Sequence, residues 1–409
     1  MKKVLIYDIT PCGRRKLDAK KLSIYFEKNG YKIVRKPEKA DFIIINTCAY
    51  SDERAMFAIN KIKELQKYKA ELIVAGCLSG IEKDKLSEVF DGKTITTKDI
   101  NNIDNLFPHH KIKFDNLPDE NIFWQNKERN KALKKMRKLL VNNSIINAIR
   151  NFLKNNLRKE LNLLFFSKDE VFHIQISQGC SANCAYCAIR NAIGKHKSKP
   201  FEECISEVKR GILQGYKKLF ITADDSGCYG TDIGRTFPEL LKSIVEIDQD
   251  FTIGIESVRP EWIIKYQDEI EPILKTGKID FIGCSVQSGS ERILKLMHRN
   301  PDVQKVKTSI LRLKEAYSKL ILITEIIIGF PTETEEEFHQ TIDLLKDLPF
   351  DIGYIYAYSD RSGTDAEKIT PKIPPKEISR RMNYSKRFLR SLGYNVRFER
   401  TKTVLVFSN

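Results

Sequence analysis

The sequence contains no long hydrophobic run. None of its apolar stretches approaches the roughly 18 residues that a membrane-spanning helix needs, and the start, Met1–Ile9, is charged too soon and ends too early for a secretory leader. Acidic residues are also in short supply, with 54 Asp and Glu against 70 Lys and Arg and a net charge of +16. We therefore expect a cytoplasmic protein with no membrane partner. The positive charge favours a polyanion such as RNA, although abundant lysine also simply solvates a surface.

Histidine is scarce, and the six that occur show no metal-ligand spacing. The adjacent His109 and His110 lie in a loop-like segment, where we expect solvated side chains. Cysteine occurs nine times without a leader, which indicates thiols in a reducing compartment rather than disulfides. The isolated Cys204 and Cys284 are expected in the core. Cys228 is expected on the rim of a sheet, as a core residue or a functional thiol.

Three cysteines stand close together in a Cys-x3-Cys-x2-Cys pattern at Cys180, Cys184 and Cys187, directly after an apolar strand. We call them the triplet cysteines. Thiolates this close share a metal or form disulfides. Structural zinc needs four closed ligands, and no fourth Cys or His stands at a finger-like distance. Iron–sulfur clusters are held at such short spacings. Three thiolates leave one iron of a four-iron cube open, so we predict a cluster, with zinc or plain buried cysteines as the alternatives.

Residues 1–98 alternate strand and helix signals, with the amphipathic helices Leu17–Gly30 and Asp52–Tyr68 between the strands. This alternation predicts a small, parallel, Rossmann-like α/β domain. The predicted strands are Lys3–Ile9, Asp41–Thr47 and Glu71–Cys77.

A second set of cysteines, Cys12, Cys48 and Cys77, lies at or just after the ends of these strands. We call them the N-domain cysteines. The carboxyl ends of parallel strands share one edge of a sheet, so three cysteines that are distant in sequence can converge there. A lone buried cysteine is usually a small hydrophobe. Three at equivalent edges predict a second cluster.

Residues 167–370 contain six strand–helix repeats, which predict a partial (βα)6 barrel of TIM-like type. The triplet follows the first strand and therefore falls on the carboxyl-end rim, where active sites of such barrels lie. The predicted strands are Phe172–Ser177, Leu219–Ala223, Thr252–Val258, Phe281–Val286, Leu322–Gly329 and Ile352–Tyr358.

Two further segments complete the chain. Residues 99–166 become basic and amphipathic, which predicts one or two helices. These helices pack on the main body, dock a substrate or partner, or lie on a membrane surface. Residues 371–409 predict a basic helix, Ile378–Leu392, and one strand, Thr403–Phe407, too little for another domain.

The chain resembles the radical S-adenosylmethionine (SAM) methylthiotransferases over about residues 1–98 and 167–370, and its motifs look most similar to the archaeal and eukaryotic tRNA branch. The matching pieces are the two cysteine sets, Asn46–Ala49, Ala75–Cys77, Asp225–Asp232, Gln287–Ser290, Met297, Arg299, Ile328–Thr334 and Tyr358–Thr364. There are departures. Gly13–Lys16 replaces the usual Asn and Ser neighbours of Cys12, Ile193 replaces an Arg, and the C-terminal TRAM barrel is absent or reduced to one strand.

The resemblance implies SAM and two [4Fe–4S] clusters as cofactors, with SAM at the open iron of the triplet cluster. An external one-electron reductant is also implied. One cluster generates a radical from SAM and the other delivers sulfur, so that a C–H bond becomes C–SCH3. All six cysteines are then both catalytic residues and metal ligands.

Other candidate residues lie at predicted strand ends or in the matching motifs. Tyr186 is expected beside the adenine of SAM, because the resemblance places an aromatic there. Ordinary capping is the alternative for the strand-end residues, and a surface ion pair is the alternative for Arg361. The predicted cofactor contacts are Tyr186, Asp225, Glu256, Ser257, Gln287 and Gly329, and the predicted substrate contact, to a carboxylate or phosphate, is Arg361.

The substrate stays open between two macromolecules. The positive charge and the family's commonest role favour a tRNA adenosine, whereas the missing TRAM barrel and the unusual 99–166 segment favour a peptide or protein side chain, to which we give a slight preference. Two other classes remain: a radical SAM enzyme whose second cluster relays electrons, and a non-enzymatic iron–sulfur protein that binds RNA or senses redox state. We expect a monomer.

Overall fold

The computed structural model of this chain describes residues 1–117, 171–399 and 403–409. The basic, amphipathic stretch that predicts one or two helices within residues 99–166 lies outside these ranges. Only the short helix Ile103–Leu106 and two single turns represent that segment in the described part. None of the helices in the described ranges is long and apolar enough to cross a bilayer.

The N-terminal domain contains a five-stranded parallel sheet in the order β2-β1-β3-β4-β5. Its central strands are continuous apolar runs, as expected for a sheet covered on both faces; Ile43, Ile44 and Ile45 are fully buried. The strands are β1 (Lys3–Asp8), β2 (Lys32–Ile33), β3 (Phe42–Thr47), β4 (Glu71–Gly76) and β5 (Lys93–Thr96), and the helices are α1 (Gly13–Lys28), α2 (Asp52–Leu65), α3 (Leu78–Ile81), α4 (Lys83–Ser87) and α5 (Ile103–Leu106).

The second domain contains all six predicted parallel strands in one sheet, neighbours in the order β6-β9-β10-β11-β12-β13. The α/β fold class is confirmed. These strands are β6 (Val171–Gln175), β9 (Lys218–Thr222), β10 (Thr252–Val258), β11 (Ile279–Cys284), β12 (Ile321–Ile328) and β13 (Ile352–Ala357). The helices are α6 (Ile189–Ile193), α7 (Phe201–Leu213), α8 (Phe237–Val245), α9 (Pro260–Lys265), α10 (Gln267–Leu274), α11 (Glu291–Leu296), α12 (Val303–Ala316) and α13 (Glu335–Asp347).

A small antiparallel ribbon closes the loop that carries the triplet. Its strands β7 (Ser177–Gln178) and β8 (Lys197–Ser198) pair Ser177 with Ser198 and Gln178 with Lys197. The triplet cysteines and α6 therefore lie in one closed loop on the barrel rim.

The C-terminal segment differs from the prediction of a single strand. Helix α14 (Pro375–Ser391) leads into a hairpin of β14 (Asn395–Phe398) and β15 (Val404–Ser408). Strand β15 pairs antiparallel with β13, so the hairpin extends the barrel sheet rather than forming a unit of its own. The strand β14 was missed because only two of its four residues are apolar.

The two domains share a hydrophobic core at the triplet loop. Ala188 and Ala192, which lie beside and within α6, pack into the N-terminal core with Leu78 and Ile81 of α3. Gly80 makes this approach possible, because a Cβ there would lie 2.7 Å from the Cα of Ala192. The helices that follow Cys77 and Cys187 are therefore in backbone contact.

Candidate active site

A single cavity of about 1070 Å³ lies between the two domains, and both cysteine sets line it. Among the residues the structure describes, its wall includes Cys12, Cys48, Cys77, Cys180, Cys184 and Cys187. None of these cysteines is in a disulfide. The carboxyl edge of one parallel sheet thus faces the carboxyl rim of the other across this space.

The N-domain cysteines lie where the strand pattern predicted them. Cys12 directly precedes α1, Cys48 directly follows β3, and Cys77 directly follows β4. Strands β1, β3 and β4 are neighbours in the sheet, which brings the three segments to one edge. Burial raises the pKa of the Cys48 thiol and raises that of Cys77 to about 12, so both favour the protonated form until a metal replaces the proton.

The triplet loop is shaped by tight backbone contacts. Gly179 has a φ of +76°, and a Cβ there would lie 2.1 Å from the carbonyl oxygen of Lys195. Its amide donates to Asp224 Oδ2 at 3.0 Å, and the amide of Cys180 donates to the carbonyl of Gly194 at 3.3 Å. Burial raises the pKa of Cys180 to about 12 and also raises that of Cys187.

The two sets fit iron–sulfur clusters better than single ions. In the described ranges no three Cys, His, Asp or Glu side chains converge on one metal-ion position. A cubane distributes its protein ligands over separate irons, so three thiolates on a cavity wall suit it without such convergence. Each set contributes three cysteines, so a four-iron cluster held by either set would keep one iron without a protein thiolate.

A buried arginine contacts the triplet. Arg299 Nη1 lies 3.8 Å from Cys184 Sγ and donates to the hydroxyl of Tyr186 at 3.3 Å, while its Nη2 donates to the carbonyl of Ser285 at 2.6 Å. Arg299 and Tyr186 both line the cavity. The guanidinium places a permanent positive charge beside a thiolate ligand, an interaction known to tune cluster potential.

A second arginine joins the domains at the cavity wall. Arg14 Nε lies 3.1 Å from Asp224 Oδ1, and its Nη1 lies 3.1 Å from Glu256 Oε2 and 2.9 Å from the carbonyl oxygen of Ala223. Arg14 is two residues from Cys12, whereas Asp224 and Glu256 lie on the barrel rim. Two carboxylates at the ends of β9 and β10 therefore form a negative site that holds a cation.

The structure brings several predicted cofactor contacts to the cavity. Tyr186, Glu256, Ser257 and Gln287 line it. Ser257 and Gln287 have positive φ values of 56° and 69°, a conformation that non-glycine residues adopt at a cost of about 1–3 kcal/mol and that is concentrated at functional sites. Their roles stay predictions.

The structure places two predicted contacts behind the wall. The buried carboxylate of Asp225 accepts from Arg259 Nε at 2.7 Å and from Trp262 Nε1 at 2.9 Å, while its neighbour Asp224 lines the cavity. Gly329 donates its amide to Glu333 Oε2 at 2.8 Å, and a Cβ at Gly329 would lie 2.6 Å from Ile378 in α14. Asp225 and Gly329 therefore support the wall in this geometry.

Arg361, the predicted substrate contact, is held by protein groups. Its guanidinium reaches the N-terminal domain and contacts Asp52, Glu82 and the carbonyl oxygen of Ala49. The guanidinium forms a buried link between the domains, and because Arg361 also lines the cavity, its contact with a substrate carboxylate or phosphate stays a prediction.

Arg14 and Arg299 were not among the predicted contacts, whereas Asp224 was expected as a loop cap or a ribose contact. Arg14 appeared in the sequence only as a departure next to Cys12, and Arg299 only as part of a motif match. The available signals were a positive charge close to Cys12 for Arg14 and the motif match for Arg299. Cys228, the possible functional thiol, is fully buried 3.1 Å from His196 Nδ1 and does not line the cavity.

Two family models match this chain. Residues 174–345 match the radical SAM superfamily, and residues 7–96 match the uncharacterized protein family UPF0004. The solved structure of the radical SAM methyltransferase TsrM from Kitasatospora setae, with tryptophan and a SAM analogue bound, covers 100% of this chain and 86% of its own with a TM-score of 0.62. At 12% identity this similarity shows the fold alone.

Two relatives in sequence are methylthiotransferases with different named substrates. The "Probable threonylcarbamoyladenosine tRNA methylthiotransferase" of Methanocaldococcus jannaschii is 30% identical, over 94% of this chain and 82% of that protein. The "Ribosomal protein uS12 methylthiotransferase RimO" of Thermodesulfovibrio yellowstonii is 30% identical, over 91% and 79%. The cofactors are SAM and two [4Fe–4S] clusters. The chain belongs to the radical SAM methylthiotransferase family and is an enzyme of that class.

Proposed function

We propose that this enzyme attaches a methylthio group to an adenosine base of a tRNA. The observation that carries the proposal is the single cavity that both cysteine sets line, because it allows a radical generator and a sulfur donor to act on one bound group. At about 1070 Å³ the cavity is at the upper end of small-molecule sites and has room for a cofactor and a base together.

The choice of a base rests on the tyrosines in the cavity wall. Tyr354, Tyr356 and Tyr358 lie along β13 and just beyond it, and all three line the cavity together with Tyr50. Aromatic rings are the side chains on which unpaired bases stack. The net charge of +16 and the tRNA-modifying relatives support the same choice.

A protein side chain is the second candidate substrate. It is favoured by the uS12 methylthiotransferase relative, which is as similar in sequence as the tRNA-modifying relative. The slight preference for a peptide or protein, which came from the sequence, stays a prediction. The tyrosine-lined cavity wall suits a planar base better.

The residues have separable roles in this proposal. When bound, SAM and the clusters supply the radical, the methyl group and the sulfur. The triplet cysteines would hold one cluster and the N-domain cysteines the other. Arg299 donates toward Cys184 Sγ and orients Tyr186, while Asp224 and Glu256 pair with Arg14 and so position the N-terminal domain on the rim. Ser257 and Gln287 line the same cavity and would orient the bound SAM.

The test uses cysteine variants of the full chain, reconstituted without oxygen and supplied with a strong one-electron reductant. We expect about eight irons per chain, at four per cluster. Replacing the three N-domain cysteines with alanine should halve the iron, retain 5′-deoxyadenosine formation and abolish the methylthio product. The matched control is Cys204→Ala, which removes a buried thiol away from the cavity. It should leave the iron content, 5′-deoxyadenosine formation and the methylthio product unchanged.

The same preparation distinguishes the candidates. Mass spectrometry of nucleosides from treated tRNA, and of peptides from treated ribosomal protein, would show which carries the added group. An oxidised or dehydrogenated product without added sulfur would replace methylthio transfer with an electron-relay role for the N-domain cluster. Absence of 5′-deoxyadenosine with both clusters present would contradict radical SAM chemistry.

A further inference from the structure

The side chain of Arg361 makes three contacts across the domain interface. Its Nη1 lies 2.8 Å from Asp52 Oδ1, and its Nη2 lies 2.6 Å from the carbonyl oxygen of Ala49 and 2.9 Å from Glu82 Oε1. Arg361 and Glu82 are almost completely buried, with side-chain exposures of 5% and 2%. Charge-assisted contacts of this kind are short and geometrically demanding, and a planar guanidinium can satisfy several at once.

The partners of Arg361 belong to the segments that carry two N-domain cysteines. Ala49 directly follows Cys48, and Asp52 begins helix α2 three residues later. Glu82 directly follows α3, the one-turn helix that starts after Cys77. Arg361, a barrel residue, therefore contacts the loop after Cys48 at the Ala49 carbonyl. It also contacts Glu82 at the end of the helix that follows Cys77.

The third N-domain cysteine has its own link at a different place on the rim. Arg14, near Cys12, contacts groups at the ends of β9 and β10, whereas Arg361 follows β13. Strands β11 and β12 separate these two anchor points in the sheet. Two arginine-mediated links, which meet the rim at separated points, fix both the distance and the orientation of the N-domain edge.

We propose that Arg361 is a positioning residue, which sets the distance between the N-domain cysteines and the triplet cysteines. This inference rests on the proposed function, because the distance matters only if sulfur is transferred across the cavity. Reacting groups must be held in contact before transfer, and a displacement of about 1 Å can cost about 100-fold in rate. Loss of Arg361 should therefore impair transfer more than radical formation.

The first test needs no cofactor. Hydrogen–deuterium exchange in the cofactor-free protein should be roughly tenfold faster at Ala55 and Glu82 in Arg361→Met than in the wild type, because a charged hydrogen bond and a buried pair are lost. The amides of Ala55 and Glu82 donate to the Ser51 and Leu78 carbonyls in the two segments that Arg361 contacts. Asp52→Asn removes one contact and should give a smaller change in the same direction. Arg312→Met is the matched control, since Arg312 bridges Asp268 and Glu271 within the barrel domain. Unchanged exchange at Ala55 and Glu82 overturns the proposal.

The second test measures coupling in the reconstituted enzyme. Arg361→Met should retain iron content and 5′-deoxyadenosine formation while the methylthio product per 5′-deoxyadenosine falls about tenfold or more. Arg361→Lys, which keeps the charge but not the fork, should be intermediate, and Arg312→Met should match the wild type. A parallel loss of iron and of both products in Arg361→Met and Arg361→Lys would indicate a merely structural role and overturn the proposal. If the wild type itself forms no methylthio product, the proposed function fails while the exchange result still stands.

Discussion

At the scale of single residues, the guanidinium of Arg299 is the charged group that the structure places against the triplet. It is buried, and hydrogen bonds to Cys184 Sγ, Tyr186 and the Ser285 carbonyl fix its orientation. Because a buried guanidinium keeps its charge, it acts on the cluster at every physiological pH. The charge of Arg299 therefore affects the reduction potential of the triplet cluster.

We predict that Arg299→Met lowers the reduction potential of the triplet cluster by tens of millivolts, because removing a nearby positive charge destabilises the reduced, more negative form. An electrochemical titration followed by electron paramagnetic resonance measures this shift. Arg299→Lys should recover part of it. An unchanged potential in Arg299→Met would mean that Cys184 is screened from the guanidinium.

A glycine on the triplet loop gives a second prediction at this scale. Gly179→Ala should lose the triplet cluster, reducing iron from about eight to about four per chain at four per cluster, because its Cβ would meet the Lys195 carbonyl at 2.1 Å. The control is Gly215→Ala, which has a similar φ of +85° but open space around it. Iron analysis after anaerobic reconstitution compares the two variants. Equal iron content in both would contradict the steric explanation.

At the scale of elements, Glu337 connects the start of α13 to α11. Its carboxylate accepts from Arg292 Nε at 2.7 Å, from the hydroxyl of Ser290 at 3.0 Å, and from the amide of Thr334 at 2.9 Å in a capping box. Burial alone would raise the pKa of Glu337, but these hydrogen bonds lower it to about 2 from 4.5. The folded state therefore prefers the ionised form.

This pKa shift predicts acid sensitivity. The folded-state pKa lies below the unfolded value, so the stabilisation is complete above about pH 4.5 and is lost as the pH falls toward 2. Glu337→Gln should reduce the free energy of unfolding at pH 7 by about 2 kcal/mol and flatten its dependence over that window. Urea unfolding at several pH values measures both. The exposed Glu336→Gln should show neither change.

The elements also show what the sequence could predict. Strands such as β3, which are continuous isoleucine runs between turn signals, were located within about one residue, and the cysteines at their ends followed. Strands β2, β5 and β14 were missed because they are short and partly polar, and their stability comes from pairing with a neighbour rather than from local pattern.

Contacts across the domain interface were beyond such reasoning. Arg14 and Glu256 are separated by 242 residues, and Arg361 and Asp52 by 309. Local periodicity does not specify such a pair, because each charged side chain would be equally stable exposed to solvent on the surface. The cysteine sites were predictable because thiol spacing restricts chemistry, whereas a single arginine does not.

At the scale of the whole molecule, the positive charge predicts how the substrate is recognised. If tRNA is the substrate, the logarithm of its binding constant should fall with the logarithm of salt concentration by about 0.7–0.9 for each phosphate contacted. Filter binding or fluorescence anisotropy across a salt series measures this slope. A protein substrate should give a much shallower slope, and a flat profile for tRNA would favour the uS12-type alternative.

The shared core at α6 has a consequence for modularity. Ala188 and Ala192 follow the triplet in sequence but pack in the N-terminal core, where Ala192 leaves no room for a Cβ at position 80. A chimera that exchanges residues 1–98 between homologues would therefore cut through an interior rather than between two folding units. A chimera that keeps this interior intact would have to exchange α6, the short helix after the triplet, together with the first domain.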